Sequence, residues 1–293
     1  METETDSAVV ERRWRELCSN LSLPPDRASE VWQIIAQRYS EPTRFYHNLQ
    51  HLFELLTLSA LWRSELSDPS VVDLAIFFHD VVYDPHSGSN EEDSAQLFRT
   101  LLPHLDTPTL EKVVYYILET KKHAVSASGD RDLQLFVDFD MAVLGATSTR
   151  YAEYARCIRK EYEFVPKAEY CSKRAALLES FLKSTQGVVG AVGAVGAVGV
   201  VGAEGAGAER NKKGQRESGE SGESGAGMES GKDEGGEAAA TEKGAEKGTE
   251  GGEQRAAGFI FATGEFREAR EVRARLNIMW EIRILSGGGL VEL

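Results

Sequence analysis

The residues able to do chemistry cluster in the first half of the chain. His47 and His51 stand four apart in YHNLQH, so on a helix both imidazoles project from one face. Such a pair can share a metal, or set one ligand beside one acid/base group, or simply lie on a surface. His79 and Asp80 follow SVVDLAIFF, in which seven of nine residues are apolar, so the chain delivers an ionisable pair straight from a core. Buried imidazole and carboxylate are costly unless they pair with each other or hold a cation. Further downstream, His123 closes ETKKH, and Asp138 and Asp140 form DFD between two apolar runs. His, His-Asp and Asp together make a mixed nitrogen and oxygen set that suits a divalent cation, with Mn, Mg, Fe, Zn, Co and Ni all open. His104, beside Pro103, reads as a surface residue.

Helices must position these groups. Asp68-Pro69 reads as a cap followed by proline in the first helical turn, opening a segment apolar on nearly every side and therefore central. Asn90 ahead of Glu91, Glu92 and Asp93 opens a second helix that Pro103 closes, and Thr107-Pro108 starts a third with Val113, Val114, Ile117 and Leu118 on its buried side. Helical periodicity continues over 151–162, 172–182 and 265–285, and nothing resembles a run of alternating strands. The expected class is all-α, a single bundle-like domain.

Composition divides the chain. Of its 28 glycines, 21 lie between Gly187 and Gly258, a stretch with no proline and no aromatic residue. Such a tract cannot bury enough apolar surface to offset its ordering entropy, so residues 187–258 read as a disordered insertion in a domain that runs over 8–186 and is completed by 259–285. The formal net charge of -14 argues against binding a nucleic-acid backbone, which requires basic residues opposite phosphates. Three cysteines, at 18, 157 and 171, form neither a disulfide framework nor a zinc ribbon and point to a reducing intracellular, cytoplasmic setting. The acidic start METETDS lacks the order of a signal peptide, and the run Gly187 to Ala203 is too short and weakly apolar for a membrane span. The sequence predicts no oligomeric state.

The order H…HD…D, in YHNLQH, FFHD and VDFD, resembles the HD superfamily of metal-dependent phosphohydrolases. With NEEDSA, ILETKKH, FVDFDMAVLG, IRKEY and EVRARLN, the chain is similar to a family of predicted HD phosphohydrolases over about 14–181 and again over 260–285. That resemblance implies a metal held by His51, His79, Asp80 and Asp138, with His47 the rival for the first position. YHN-x-x-H is similar to the opening motif of cyclic-nucleotide phosphodiesterases, which implies His51 as ligand and His47 as general acid protonating the leaving oxygen. It also implies Asp140 as an orienting partner of Asp138, and His123 as a contact to a second metal or to substrate phosphate. Asn90 and Glu91 belong to the family's NE motif, while capping and the helix dipole alone also account for them. Lys121, Arg159 and Arg174 stand in family-like motifs where a substrate phosphate would be held, and each is equally an ordinary helix-surface charge.

The activity so implied is hydrolysis of a phosphoester in a small molecule, a nucleotide in the first instance, with Asp80 taking the proton of the attacking water. Two other classes share the ligand types. A di-iron oxygenase of HD type would need a second ligand set from His47, His123 and Asp140, and a non-catalytic metal-binding scaffold would need no acid/base group.

Overall fold

The computed structural model describes residues 4–122, 129–183 and 260–287. Among these, ten α-helices and no strands are present. They are α1 (Asp6–Asn20), α2 (Pro25–Arg38), α3 (Leu49–Leu61), α4 (Pro69–Phe78), α5 (Asn90–Leu101), α6 (Thr107–Thr120), α7 (Arg131–Asp140), α8 (Ser148–Glu161), α9 (Lys167–Lys183) and α10 (Gly264–Ser286). The all-α class holds, and residues 260–287 return to the same compact unit as 4–183. The expected disordered tract at 187–258 lies wholly outside the described residues.

Local chemistry sets the helix starts. Asp68 accepts the Val71 N–H at 3.2 Å with Pro69 next to it, Asp106 accepts the Thr109 N–H at 3.0 Å, and Asn48 accepts the Gln50 N–H at 2.9 Å. Each satisfies one of the orphan donors of a first turn. Asn90 is different: it is the first residue of α5 rather than its cap, and its amide exchanges two 2.9 Å hydrogen bonds with the backbone of Asp84. Its side chain therefore closes the loop that leads away from His79-Asp80.

α4 is the central rod, buried on every side from Val71 to Phe78. Helices α3 and α6 pack along it, α1 lies over α3, and Trp14 of α1 meets Phe77 edge-on at 5.1 Å while donating from Nε1 to the Ala28 carbonyl at 2.8 Å. α10 closes the other side against α9 and the 3₁₀ turn Met141–Gly145. That approach needs glycine, because a Cβ on Gly145 would lie 2.6 Å from Arg270 Cβ. Phe266 of α10 touches Phe139 and Trp62 at ring-centroid distances of 5.9 and 5.4 Å, joining α10 to α7 and α3.

Candidate metal centre and its histidine–glutamate neighbour

Three helix ends and one turn converge. The first turn of α3 carries His51, α4 runs into His79 and Asp80, and α7 ends on Asp140. His51 Nε2 and His79 Nε2 face each other at 3.2 Å. Asp80 Oδ2 lies 3.0 Å from His79 Nε2 and 3.8 Å from His51 Nε2, and Asp140 Oδ1 lies 3.3 Å from His51 Nε2 and 3.8 Å from His79 Nε2. His79 Nδ1 is held by the Ile76 carbonyl at 2.9 Å, the bond that leaves Nε2 as the lone-pair nitrogen of a neutral ring.

Two imidazole nitrogens directed at one point, with carboxylate oxygens beside them, require a positive charge between them. Burial lowers the His79 pKa, but the charge and hydrogen bond of Asp80 outweigh it and push it up to about 9. Burial raises Asp140, but the hydrogen bond from His51 and the charge of His79 outweigh it and hold the carboxyl below its usual range. His51, His79 and Asp140 thus form a group whose ligand atoms lie within 4.8 Å of one another and can hold a metal ion. The donor set fits one: two imidazoles, one with its far nitrogen anchored, and hard oxygen donors beside them.

Asp138 is not in this group. The resemblance implied it as a ligand, whereas its Oδ1 and Oδ2 accept the Ala262 and Thr263 N–H groups at 2.6 and 2.8 Å. Residues two apart on an α-helix point about 200° apart, so only one aspartate of DFD can face the histidines, and that one is Asp140. Of the two aspartates, Asp140 stands with the histidines and Asp138 with the backbone that leads into α10.

Beside the cluster, His47 is stacked on Tyr83 at 4.1 Å, and its Nδ1 lies 2.7 Å from Glu161 Oε2. Glu161 is buried; its Oε1 accepts three successive N–H groups, from Phe45, Tyr46 and His47 at 2.7–3.0 Å, and the Tyr83 hydroxyl donates to Oε2 at 3.1 Å. Burial lowers the His47 pKa, yet the Glu161 charge and hydrogen bond override it and the net shift is upward. Arg44 laces this corner to the cluster, donating to the carbonyls of His47, Asp80 and Val81 at 3.2, 2.6 and 3.0 Å. Neither Glu161 nor Arg44 stood out in the sequence. Glu161 sits in IRKEY, but its partner is 114 residues away.

The remaining candidates lie elsewhere or are engaged. Lys121 Nζ bonds Glu92 at 2.6 Å and the Gly88 carbonyl at 2.7 Å, with Glu91 at 3.7 Å. Glu91 is raised above its usual range, by burial first and by the charge of Asp80 in addition, so it senses the cluster. Arg159 is tied to the carbonyls of Tyr162 and Val165 at the end of α8 and lies over the Tyr170 ring. Arg174 is buried and bonds Glu281 Oε1 at 3.0 Å and the Tyr154 hydroxyl at 3.1 Å. Arg159 thus ties the end of α8 to α9, and Arg174 ties α9 to α10. His123 lies outside the described residues.

Comparison with protein-family models, with curated proteins and with solved structures found no match. Among the described residues, no helix is long and apolar enough to cross a membrane.

Proposed function

We propose that this chain is a metal-dependent phosphohydrolase of HD type that cleaves a phosphoester of a small molecule, a nucleotide in the first instance. The observation that carries the reading is the meeting of His51, His79 and Asp140, with Asp80 within 3.8 Å of both imidazoles, beside a glutamate-held histidine. These four residues would hold one divalent cation, which when bound supplies Lewis acidity at the phosphoryl oxygen and makes water more acidic.

The chain's own groups do the rest. Asp80 receives the proton of the attacking water as the new phosphorus–oxygen bond forms. The bond to the leaving oxygen breaks, and that oxygen takes a proton from His47, whose Nδ1 is fixed by Glu161 so that Nε2 is the donating atom. Glu161 stabilises the charged imidazole and holds its orientation. The di-iron alternative is less supported, because His47 is engaged by Glu161, and a ligand set beyond the one described would have to come from elsewhere.

Metal analysis of the purified chain, followed by a screen of nucleotides and simple phosphoesters with and without chelator, tests the proposal. Chelator-sensitive release of alcohol or phosphate is the expected result. A fully metal-loaded chain that turns over no phosphoester sinks it.

A further inference from the structure

Behind the His47–Glu161 pair lies a surface cleft of about 390 Å³, walled by Phe45, Tyr83, His86 and Phe164. That size falls in the range of small-molecule sites, about 300–1,000 Å³. Its walls are rings a folded chain would ordinarily bury: Phe45 and Phe164 are 41% and 40% exposed. Phe164 is already part of a stack, with His86 parallel to it at 3.7 Å and Tyr162 at 6.0 Å on a similar plane. Stacked aromatic walls accept a further flat ring whatever its substituents, since every base presents a π-face.

The charges in the cleft lean acidic, with Asp84, Glu161 and Glu163 against Lys160. Glu161 is taken up by His47 and three backbone N–H groups, Asp84 bonds His86 Nδ1 at 2.8 Å, and Lys160 and Glu163 oppose each other in sign, Lys160 lying 5.3 Å from the Phe45 ring centroid. An anionic ligand part is disfavoured there, so the part that enters is an uncharged ring that gains from the aromatic walls. The inner wall fixes which part of a substrate this is. Tyr83 and Glu161 both line the cleft and both touch His47, so a bound ring sits one side chain from the imidazole assigned to the leaving oxygen.

We propose that this cleft binds a planar, uncharged heteroaromatic ring, the base of a nucleoside that forms the leaving group. This rests on the phosphohydrolase reading for its meaning, but binding of the ring does not require turnover. The test uses adenosine as probe and ribose as the ring-free control, with binding read by saturation-transfer NMR and calorimetry on the full chain. Adenosine should bind the natural chain and the Asp80→Ala variant alike, and ribose should bind neither. Phe164→Ala and Phe45→Ala, both at exposed rings that the fold does not depend on, should each weaken adenosine by about tenfold. No adenosine binding at millimolar concentration overturns the proposal, as does binding that survives both phenylalanine variants undiminished or vanishes with Asp80→Ala alone. A chain that binds adenosine through these rings yet hydrolyses no phosphoester would retain the ring site and refute the hydrolase.

Discussion

Asp138 and Asp140 leave α7 two residues apart and serve different neighbours: Asp140 Oδ1 lies 3.3 Å from His51 Nε2, while Asp138 accepts the backbone N–H groups that lead into α10. Their asparagine variants should therefore separate two properties. Asp140→Asn should lose bound metal with little change in unfolding. Asp138→Asn should keep metal and lower stability by about 2–3 kcal/mol, since bonds to a charged acceptor are worth about 1.5–3 kcal/mol each and the neutral amide keeps part of them. Metal content and denaturant unfolding on the same samples decide it. Metal retained in Asp140→Asn and lost in Asp138→Asn would restore the assignment the sequence resemblance implied.

The histidines of YHNLQH should part in the same manner. His51→Ala should lose metal, whereas His47→Ala should keep it and lose turnover by roughly 10²–10⁴-fold, the usual scale for a removed acid/base group. A substrate with a good leaving group needs little protonation, so it should partly rescue His47→Ala and leave His51→Ala inactive. Glu161→Gln should resemble His47→Ala in keeping metal and in being rescued. If the activated substrate rescues neither, His47 is not the acid.

Removing one side of the buried Arg174–Glu281 pair leaves the other charge stranded. Arg174→Ala should cost about 3–5 kcal/mol, while the Arg174→Met, Glu281→Leu double variant should recover most of it. Metal content should stay unchanged in both, and a selective loss of metal would show that the pair shapes the cluster.

Cys18 is buried, and burial pushes its thiol up to about 12. At pH 8 its thiolate fraction is then on the order of 10⁻⁴, so alkylation should be slow in the folded chain and fast once it is unfolded. Its rate should rise about tenfold per pH unit from pH 7 to 10, because the reactive form appears only as the proton leaves. Peptide mapping after timed labelling reads this directly, and fast native labelling at pH 8 would contradict the burial.

The helices were legible because their signals are local. Asp68-Pro69, the acidic turn after Asn90 and Thr107-Pro108 need only a few neighbouring residues to act, and they place the starts of α4, α5 and α6 within a residue or so. His79 and Asp80 stood out for a related reason, since charged groups at the end of an apolar rod demand partners, whereas His51 was singled out over His47 only by the family resemblance. The choice between Asp138 and Asp140 was not local. It depends on where the chain returns 124 residues later to offer the Ala262 N–H, and nothing in DFD itself encodes that return. Glu161 was hidden in the same way: a glutamate near the end of a basic helix reads as a surface charge until the turn before α3 is folded onto it.

The late arrival of α10 sets an order on synthesis. His47 through Asp140 leave the ribosome well before Ala262 does, and at ~5–20 residues per second the 124 residues between Asp138 and Ala262 take roughly 6–25 s to make. During that interval Asp138 lacks the Ala262 and Thr263 N–H groups, Arg174 lacks Glu281, and Phe139 and Trp62 lack the Phe266 ring that covers them. The nascent domain thus waits, open on one side, for a helix still being translated, and a chain stopped before Ile260 leaves that side open to chaperones and proteases for good.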